Sequence, residues 1–319
     1  MGLGAGFQAV ILAAGAGKRL RPLTLSRSKA LAPLVGQPML ARVVETLGHC
    51  GLWRVIVVTS APDDDVARWC AAYRGRSEIQ VVVQPERLGM GHALACAAPR
   101  LEGPFVLHAC DTLIEGTTLE MLLRRHLTLE ARATLALEQL TSPEAIARSG
   151  IVALDGERVV KIVEKPKPEE APSDLCAIPV YVFEPRLLEY LAELEPSPRG
   201  ELELQPAIQM LIDRDGAVYG HRIERRWQIT TTDDLLAINR AWLDDGHTQR
   251  TGAAECLDPV WIGADVEFAA GCRVGPHTVI ESGARIGAGA VIEDSVILAD
   301  AQIPEGARIR GEVVAGLDS

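Results

Sequence analysis

The sequence lacks any apolar stretch approaching the roughly 20 residues needed to cross a bilayer, so a helical membrane span is not expected. Its start, MGLGAGF, has neither the charged n-region nor the long apolar core of a signal peptide, and Gly6 stands where the myristoylation pattern needs Ser or Thr. A cytoplasmic location is the expectation. Positive charge is in short supply: 32 Lys and Arg face 43 Asp and Glu, for a net charge of -11 and a pI near 5.2. Wrapping of nucleic acid needs a concentrated basic surface, so nucleic acid is not an expected partner. The seven cysteines, at 50, 70, 96, 110, 176, 256 and 272, include no C-x-x-C pair, and no histidine cluster has zinc-ligand spacing. They are expected as small reduced core residues. G-K-[ST] and G-x-G-x-x-G are absent too, which removes the P-loop and the dinucleotide-binding fingerprint.

What is present is a chain of 319 residues, 48% apolar and 24% charged, long enough for two domains with a buried core. QAVILA at 8–13 is a short apolar run that ends in the turn AGAGKR, as a buried strand feeding a phosphate-sized loop would. Helical spacing over 38–49 (Met39, Leu40, Val43, Val44, Leu47) leads to the strand RVIVVT at 54–59. The alternation goes on through a helix opening near Asp63, a strand at 79–83, a helix over 92–98 and a strand at 105–109. Such β-α repetition predicts an α/β, doubly wound sheet with ligands at the carboxyl ends of its parallel strands. After Gly150 the strand-rich runs IVAL, VVKIVE and AIPVYVF make the sheet a mixed one. Helices are predicted at 186–194, 206–213 and 232–245, the last capped by Thr232 and stopped by Gly246.

From residue 257 a period of six takes over, with Ile262, Phe268, Val274, Ile280, Ile286, Ile292 and Leu298 in phase. Pro304 occupies the next slot, and the phase resumes at Ile303 and Ile309. Hexapeptide repeats of this kind predict a short left-handed parallel β-helix, in which each hexad supplies one face of a coil. The expected division is therefore a nucleotide-handling domain at 1–245, a linker at 246–256 and the β-helix at 257–319. About three coils leave an end to bury, so a homo-oligomer formed through the β-helix is expected.

The segment LAAGAGKRLRPLTLSRSKALAP, Leu12 to Pro33, carries the strongest chemistry. Gly15 and Gly17 let backbone N–H groups approach phosphate oxygens, and Arg19 and Lys29 supply the cationic charge that a triphosphate requires. It resembles the signature of the nucleotidyltransferases that make nucleoside-diphosphate sugars, G-x-G-x-R-x-x-P-[LV]-T followed by a Lys in a [PS]-K-x-L context, in the manner of bacterial glucose-1-phosphate thymidylyltransferases and uridylyltransferases. The resemblance runs over residues 8–245 and implies a Rossmann-like nucleotidyltransferase fold. It also implies that Leu12, Ala14, Gly15 and Gly17 bind nucleotide, that Arg19 grips the departing β- and γ-phosphates, and that Lys29 neutralises charge near the α-phosphate.

On the same resemblance, Gln84-Pro-Glu-Arg-Leu-Gly-Met-Gly-His-Ala is a base-recognition loop, with Gln84 on the base edge and Gly89 leaving room for it. Met90 replaces a common Thr, and His92 is expected to pack the following helix. Asp111 aligns with the metal-binding Asp, although Cys110 replaces the usual Gly before it; the cofactor implied is Mg²⁺. Gly150, Glu164 and Lys165 align with the sugar-phosphate contacts, the carboxylate suited to hydroxyls and the ammonium to phosphate. Pro179 stands where Gly is typical. Gln228 stands where a second metal-binding Asp is common; its amide oxygen is a weaker ligand, and Asp233 and Asp234 are better suited to the first turn of the next helix.

The activity this implies is nucleotidyl transfer from a nucleoside triphosphate, UTP or dTTP favoured, to a sugar 1-phosphate. Gln228, Cys110 and Pro179 motivate a second reading, a catalytically weakened regulatory subunit that binds nucleotide or sugar phosphate on the same fold. A third would give the repeats an acyltransferase activity; only His277 lies within them as a base, so a structural or oligomerising role is preferred.

Overall fold

The computed structural model describes residues 2–251 and 255–315. Residues 252–254 of the expected linker and the last four of the expected β-helix lie outside them. By contacts the chain divides into two units: residues 1–15 with 43–226, and 16–42 with 227–319.

The first unit is built on a nine-stranded sheet. Its strands are β1 (Gln8–Leu12), β2 (Arg54–Thr59), β3 (Glu78–Val83), β4 (Phe105–Ala109), β5 (Ala133–Gln139), β6 (Gly150–Asp155), β7 (Arg158–Glu164), β8 (Leu175–Phe183) and β9 (Val218–Arg222). Their order is β3-β2-β1-β4-β8-β5-β9-β7-β6, with β8 also pairing β6. β1 to β4 run parallel, and β8 enters antiparallel between β4 and β5, so the sheet is mixed as expected. The central strands are predominantly apolar because both faces are covered, and Ala9, Val10 and Ile11 are wholly buried.

The principal helices are α1 (Met39–His49), α2 (Asp65–Ala72), α3 (Met90–Ala97), α4 (Gly116–Thr128), α5 (Gln205–Arg214) and α6 (Thr232–Asp244). The apolar stripe read for α1 is wholly buried at Met39, Leu40, Val43, Val44 and Leu47. α2 starts at its cap, Asp64, whose carboxylate accepts from Ala67 N at 2.8 Å, Ser60 N at 3.1 Å and Ala61 N at 3.2 Å, and from the Thr59 hydroxyl. The run expected as one helix over 186–194 is instead a single turn, Leu187–Tyr190, followed by a tighter one, Leu191–Glu193. Pro179 lies in a bulge of β8, between Ile178 opposite Ala136 and Tyr181 opposite Leu135, where a residue without an N–H is tolerated in an interior strand.

In the second unit the cap of α6 is Thr231, one residue ahead of the expected Thr232. Its hydroxyl accepts from Asp234 N at 3.2 Å while Asp234 Oδ2 accepts from Thr231 N at 2.7 Å, a reciprocal box that Thr232 cannot close. The repeats form three stacked parallel sheets, as coils of a β-helix do, with Val260, Ile262, Val274, Ile280, Ile286 and Ile292 directed inward. The first repeat strand, Glu255–Cys256, pairs with Arg273–Val274. The change of phase comes one face earlier than the sequence suggested. Val274 lies opposite Ile292, but Ile280 lies opposite Ile297, so the corner at Asp294–Ser295 is a residue shorter and Ile297, not Leu298, fills the core slot. Among the described residues no helix is long and apolar enough to cross a membrane.

The seven cysteines form no disulfide with one another, and five, Cys50, Cys70, Cys110, Cys176 and Cys272, are buried. Burial, with Asp64 nearby, pushes the Cys70 thiol up to about 12, so it behaves as a small apolar group.

Candidate functional site

Because β1, β3 and β4 are parallel, the segments that follow them leave the sheet at one edge, its carboxyl edge. The ladder continues a step past the strands: Ala13 N donates to Val58 O at 2.8 Å and Cys110 N to Leu12 O at 3.1 Å. Leu12, Ala14 and Gly15, the half-buried Asp111 and Gln84 therefore emerge at the same edge, where ligands of such sheets bind. Gly15 is exposed, and a Cβ there would meet nothing. The Thr112 hydroxyl lies 3.4 Å from Asp111 Oδ1. Beneath the edge His108 is wholly buried; its Nδ1 is 3.0 Å from Ala109 O and its Nε2 has no partner. Burial pushes this imidazole down to about 4, against the pull of Asp111, so it stays neutral.

The loop after β3 braces itself. Gln84 Nε2 donates to Gly89 O at 3.0 Å and lies 3.2 Å from His92 Nδ1, which is also 3.0 Å from Glu86 O. His92 thus fastens the loop as well as opening α3. Arg87, which the sequence did not single out, donates from Nε to Ala14 O at 2.9 Å and ties this loop to the glycine turn. Gly89 has a second reason to be bare: its φ is 95° and a Cβ would sit 2.8 Å from Leu202 O.

Gly150, Glu164 and Lys165 come together as expected. Glu164 pairs with Gly150 across β7 and β6, and Lys165 Nζ is 3.0 Å from Glu164 Oε1. Ile151 pairs with Cys176, in the part of β8 that runs past Val180, the partner of His108; this places the cluster near the carboxyl edge of β4. Three residues missed in the sequence complete it. Arg199 contacts Glu203 and lies 3.9 Å from Glu164 Oε1, and Gln205 Nε2 and Glu164 Oε2 lie 3.0 and 3.1 Å from where a Gly150 Cβ would be. Glu164 Oε2 and Gln205 Oε1 are buried with no hydrogen-bond partner. Burial raises the Glu164 carboxyl above its ordinary range; Glu203 adds to the rise, while Lys165 and Arg199 oppose it. Two buried acceptors beside an ammonium have the chemistry to take hydroxyl donors and an anion. The only signal for the missed residues was the charged, Gly-containing stretch SPRGELELQ ahead of α5.

In the second unit, Gly17 takes a left-handed φ of 58°, and a Cβ there would lie 2.9 Å from both Lys29 Cβ and Thr24 Cγ2. The stem of Lys29 therefore packs across the glycine turn, and the Thr24 hydroxyl donates to Gly17 O at 3.0 Å. Arg19 is exposed in the turn Lys18–Leu20. Gln228 is exposed in the short strand Trp227–Gln228. Asp234 is committed to the cap of α6, with Oδ2 also accepting from Thr230 N at 2.8 Å. His277 is held by Asp244, 2.8 Å from its Nε2, and Asp294, 3.5 Å from its Nδ1, which does not suit a base for acyl transfer. Among the described residues no group of three or more His, Cys, Asp or Glu side chains could hold a metal. Asp111 nevertheless suits Mg²⁺, which is commonly bound through one or two carboxylates with phosphate oxygens and water completing its sphere.

A parallel-centred sheet with a glycine turn, a braced loop and an acidic strand end along one edge defines an α/β protein that handles nucleotides. Residues 8–252 match the family described as nucleotidyl transferase, and the chain belongs to that family. Residues 256–318 match the domain described as the GMPPB C-terminal domain. The chain is 30% identical to the low-salt glycan biosynthesis nucleotidyltransferase Agl11 of Haloferax volcanii, over 82% of this chain and 72% of that protein. It is also 30% identical to a glucose-1-phosphate thymidylyltransferase of Streptomyces antibioticus, over 96% of this chain and 91% of that one. A solved UDP-glucose pyrophosphorylase in complex with UDP-glucose shares the fold with a TM-score of 0.68 at 20% identity, covering 75% of this chain and 99% of its own. The relatives place the chain among sugar-1-phosphate nucleotidyltransferases.

Proposed function

We propose that the protein transfers a nucleotidyl group from UTP or dTTP to a sugar 1-phosphate, releasing pyrophosphate. The observation that carries this is the cluster at Gly150, where Glu164 Oε2 is buried without a partner beside the Lys165 ammonium. A sugar hydroxyl donating to Glu164 would satisfy that oxygen, with Lys165 on the phosphate of the same molecule.

An oxygen of the sugar phosphate attacks the α-phosphorus in line, and the bond from that phosphorus to the oxygen bridging to the β-phosphate breaks. The electron pair leaves with pyrophosphate, so no covalent enzyme intermediate is needed. Arg19 takes charge on the β- and γ-phosphates and Lys29 charge at the α-phosphate, while the Gly15 and Gly17 turn admits the phosphates to the backbone. Leu12, Ala14, Gln84 and Gly89 line the nucleotide, and the bracing of Gln84 by Gly89 O supports this, because a fixed amide selects a base edge at little entropic cost. Asp111 would hold Mg²⁺, with the Gln228 amide oxygen as a neutral second ligand. When bound, the ion supplies charge neutralisation to the phosphates. The β-helix is taken to wind left-handed and to join copies of the chain.

Pyrophosphate release is measured with UTP, dTTP, GTP, CTP and ATP against a panel of sugar 1-phosphates in the presence of Mg²⁺. Release with one pair, lost in Asp111→Asn by about 10²-fold or more, is the expected result. One observation favours a second reading, the weakened binding subunit: Asp234, one of the two aspartates that could replace the charge missing at Gln228, is spent on a helix cap. A nucleotide that raises the melting temperature with no release from any pair would select that reading.

A further inference from the structure

The segment that carries Arg19 and Lys29 is built into the C-terminal body. Residues 16–42 share a unit with residues 227–319, and the contacts that hold them bracket Lys29 on both sides. On the N-terminal side is Arg27. Its Nη1 donates to both carboxylate oxygens of Glu281, at 2.9 and 2.8 Å, and the two side chains are only 22% and 15% exposed. Glu281 is itself fixed within the coils: its N donates to Ile297 O at 2.8 Å and its Oε2 accepts from Ala299 N at 3.1 Å.

On the C-terminal side, buried Asn239 of α6 accepts from Val35 N at 2.8 Å and donates to Pro33 O at 3.0 Å and Leu235 O at 2.9 Å. Arg42 donates to Leu34 O at 3.1 Å with its guanidinium 4.8 Å over the Trp242 ring. Gly36, with a φ of 75°, lies so close to Trp261 of the first coil that any Cβ would overlap the indole. Lys29 is thereby held between two anchored stretches, and its stem in turn packs over Gly17.

We propose that the β-helix positions the phosphate-binding segment, with Glu281 acting through Arg27 to fix the backbone that presents Lys29 and Arg19 to a nucleoside triphosphate. This rests on the assignment of those two residues to the triphosphate in the proposed function. Arg27 and Glu281 are positioning residues, not ligands. A desolvated ion pair adds little net stability, whereas it does fix geometry, and a misplacement of the order of 1 Å at a phosphate ligand weakens catalysis by up to about 10²-fold. The repeats then have a role in the reaction apart from any joining of copies.

Full-length Glu281→Gln and Arg27→Gln are compared with the parent and with the exchanged pair Arg27→Glu/Glu281→Arg. Four quantities are read: binding of UTP and dTTP by calorimetry, KM for each substrate, hydrogen exchange over residues 17–32, and the melting temperature. The single variants are expected to weaken triphosphate binding and raise its KM about tenfold, to leave the KM for sugar 1-phosphate within about twofold, and to speed exchange over the segment. The exchanged pair recovers part of the loss. A lowered melting temperature with unchanged triphosphate affinity and unchanged exchange would make the pair a mere staple and overturn the proposal.

Lys29→Ala separates this outcome from failure of the underlying assignment. If it leaves triphosphate binding intact, the role given to Lys29 is wrong and the proposal falls with it. If it weakens binding while Glu281→Gln does not, only the positioning role is lost. Binding and exchange decide the matter even if no pair of substrates releases pyrophosphate.

Discussion

Lys165 Nζ stands 3.0 Å from Glu164 Oε1, while the other oxygen of the same carboxylate is buried and has no partner. The carboxylate is thus satisfied at Oε1 and unsatisfied at Oε2, the oxygen next to Gly150. Burial, reinforced by Glu203, holds the Glu164 carboxyl above the ordinary carboxylate range in spite of Lys165 and Arg199. If the ionised form accepts from sugar hydroxyls, kcat/KM for the sugar 1-phosphate falls as pH drops through that raised value, giving an acid limb above pH 4.5. Glu164→Gln should lower kcat/KM about 10²-fold and abolish this limb, because an amide keeps the shape and loses the charge. A pH profile of both proteins checks it, and an identical limb in the variant would refute the assignment.

His108 gives a second pH dependence, this time of stability. Its folded value near 4 lies below the 6.5 of a free imidazole, so the unfolded chain takes up the proton first. Stability is complete above pH 6.5 and falls as pH is lowered from there towards 4, by about 3 kcal/mol in total for a fully buried group. Replacement by Leu removes the titrating group along with the unpartnered Nε2, and should flatten that part of the curve. Urea unfolding at a series of pH values measures the slope in each protein; equal slopes would show that His108 does not supply it.

Asp64 should behave in the opposite range. Burial alone would raise its carboxyl, but hydrogen bonds from Thr59, Ala67, Ser60 and Ala61 outweigh burial and hold it below its usual value. Its contribution is therefore present in full above about pH 4 and is lost as pH falls through the depressed folded value. Asp64→Ala leaves the start of α2 and the turn after β2 without their acceptor and should cost about 1–2 kcal/mol at neutral pH. Denaturant midpoints at pH 7 test it, and a change below about 0.3 kcal/mol would mean that solvent replaces the carboxylate at little cost.

Much of this was legible because local pattern and tertiary environment agree. The strands at 54–59 and 105–109 fall where the apolar runs put them, since both faces of a central parallel strand are buried and no polar alternation blurs the signal. The glycine turn was legible from residue type and position, whereas the Glu164–Lys165 pair was legible only through the resemblance to the nucleotidyltransferases. The cap of α6 was misplaced by one residue because three threonines stand in a row and only the reach of Asp234 back to Thr231 N decides among them. The repeat slipped for a similar reason: Ile297 and Leu298 are equally apolar, and the register is set by a corner at Asp294–Ser295 that composition does not mark. Arg199, Glu203 and Gln205 were not legible. They matter through contacts with Gly150 and Glu164 that lie far away in the chain, and no local period reports such contacts.

Those distant contacts give the last prediction. The loop after β3 and the segment before α5 are joined backbone to backbone: Gly91 N donates to Leu202 O at 2.8 Å and Leu202 N donates to Leu88 O at 2.6 Å. A Cβ at Gly91 would lie 2.6 Å from Leu194 Cδ1, 2.7 Å from Leu202 O and 3.1 Å from Glu203 O. The first of these can turn away, but the two carbonyls cannot move without carrying the backbone between Glu203 and Gln205 with them. Gly91→Ala should therefore cost about 1–3 kcal/mol in stability and displace two sides of the candidate site together, the loop braced by Gln84 and the cluster at Gly150. KM is expected to rise for both substrates in the fraction that remains folded. Steady-state kinetics below the melting transition check this, and a rise confined to the triphosphate would show that the strain is absorbed in the loop and does not reach Glu203.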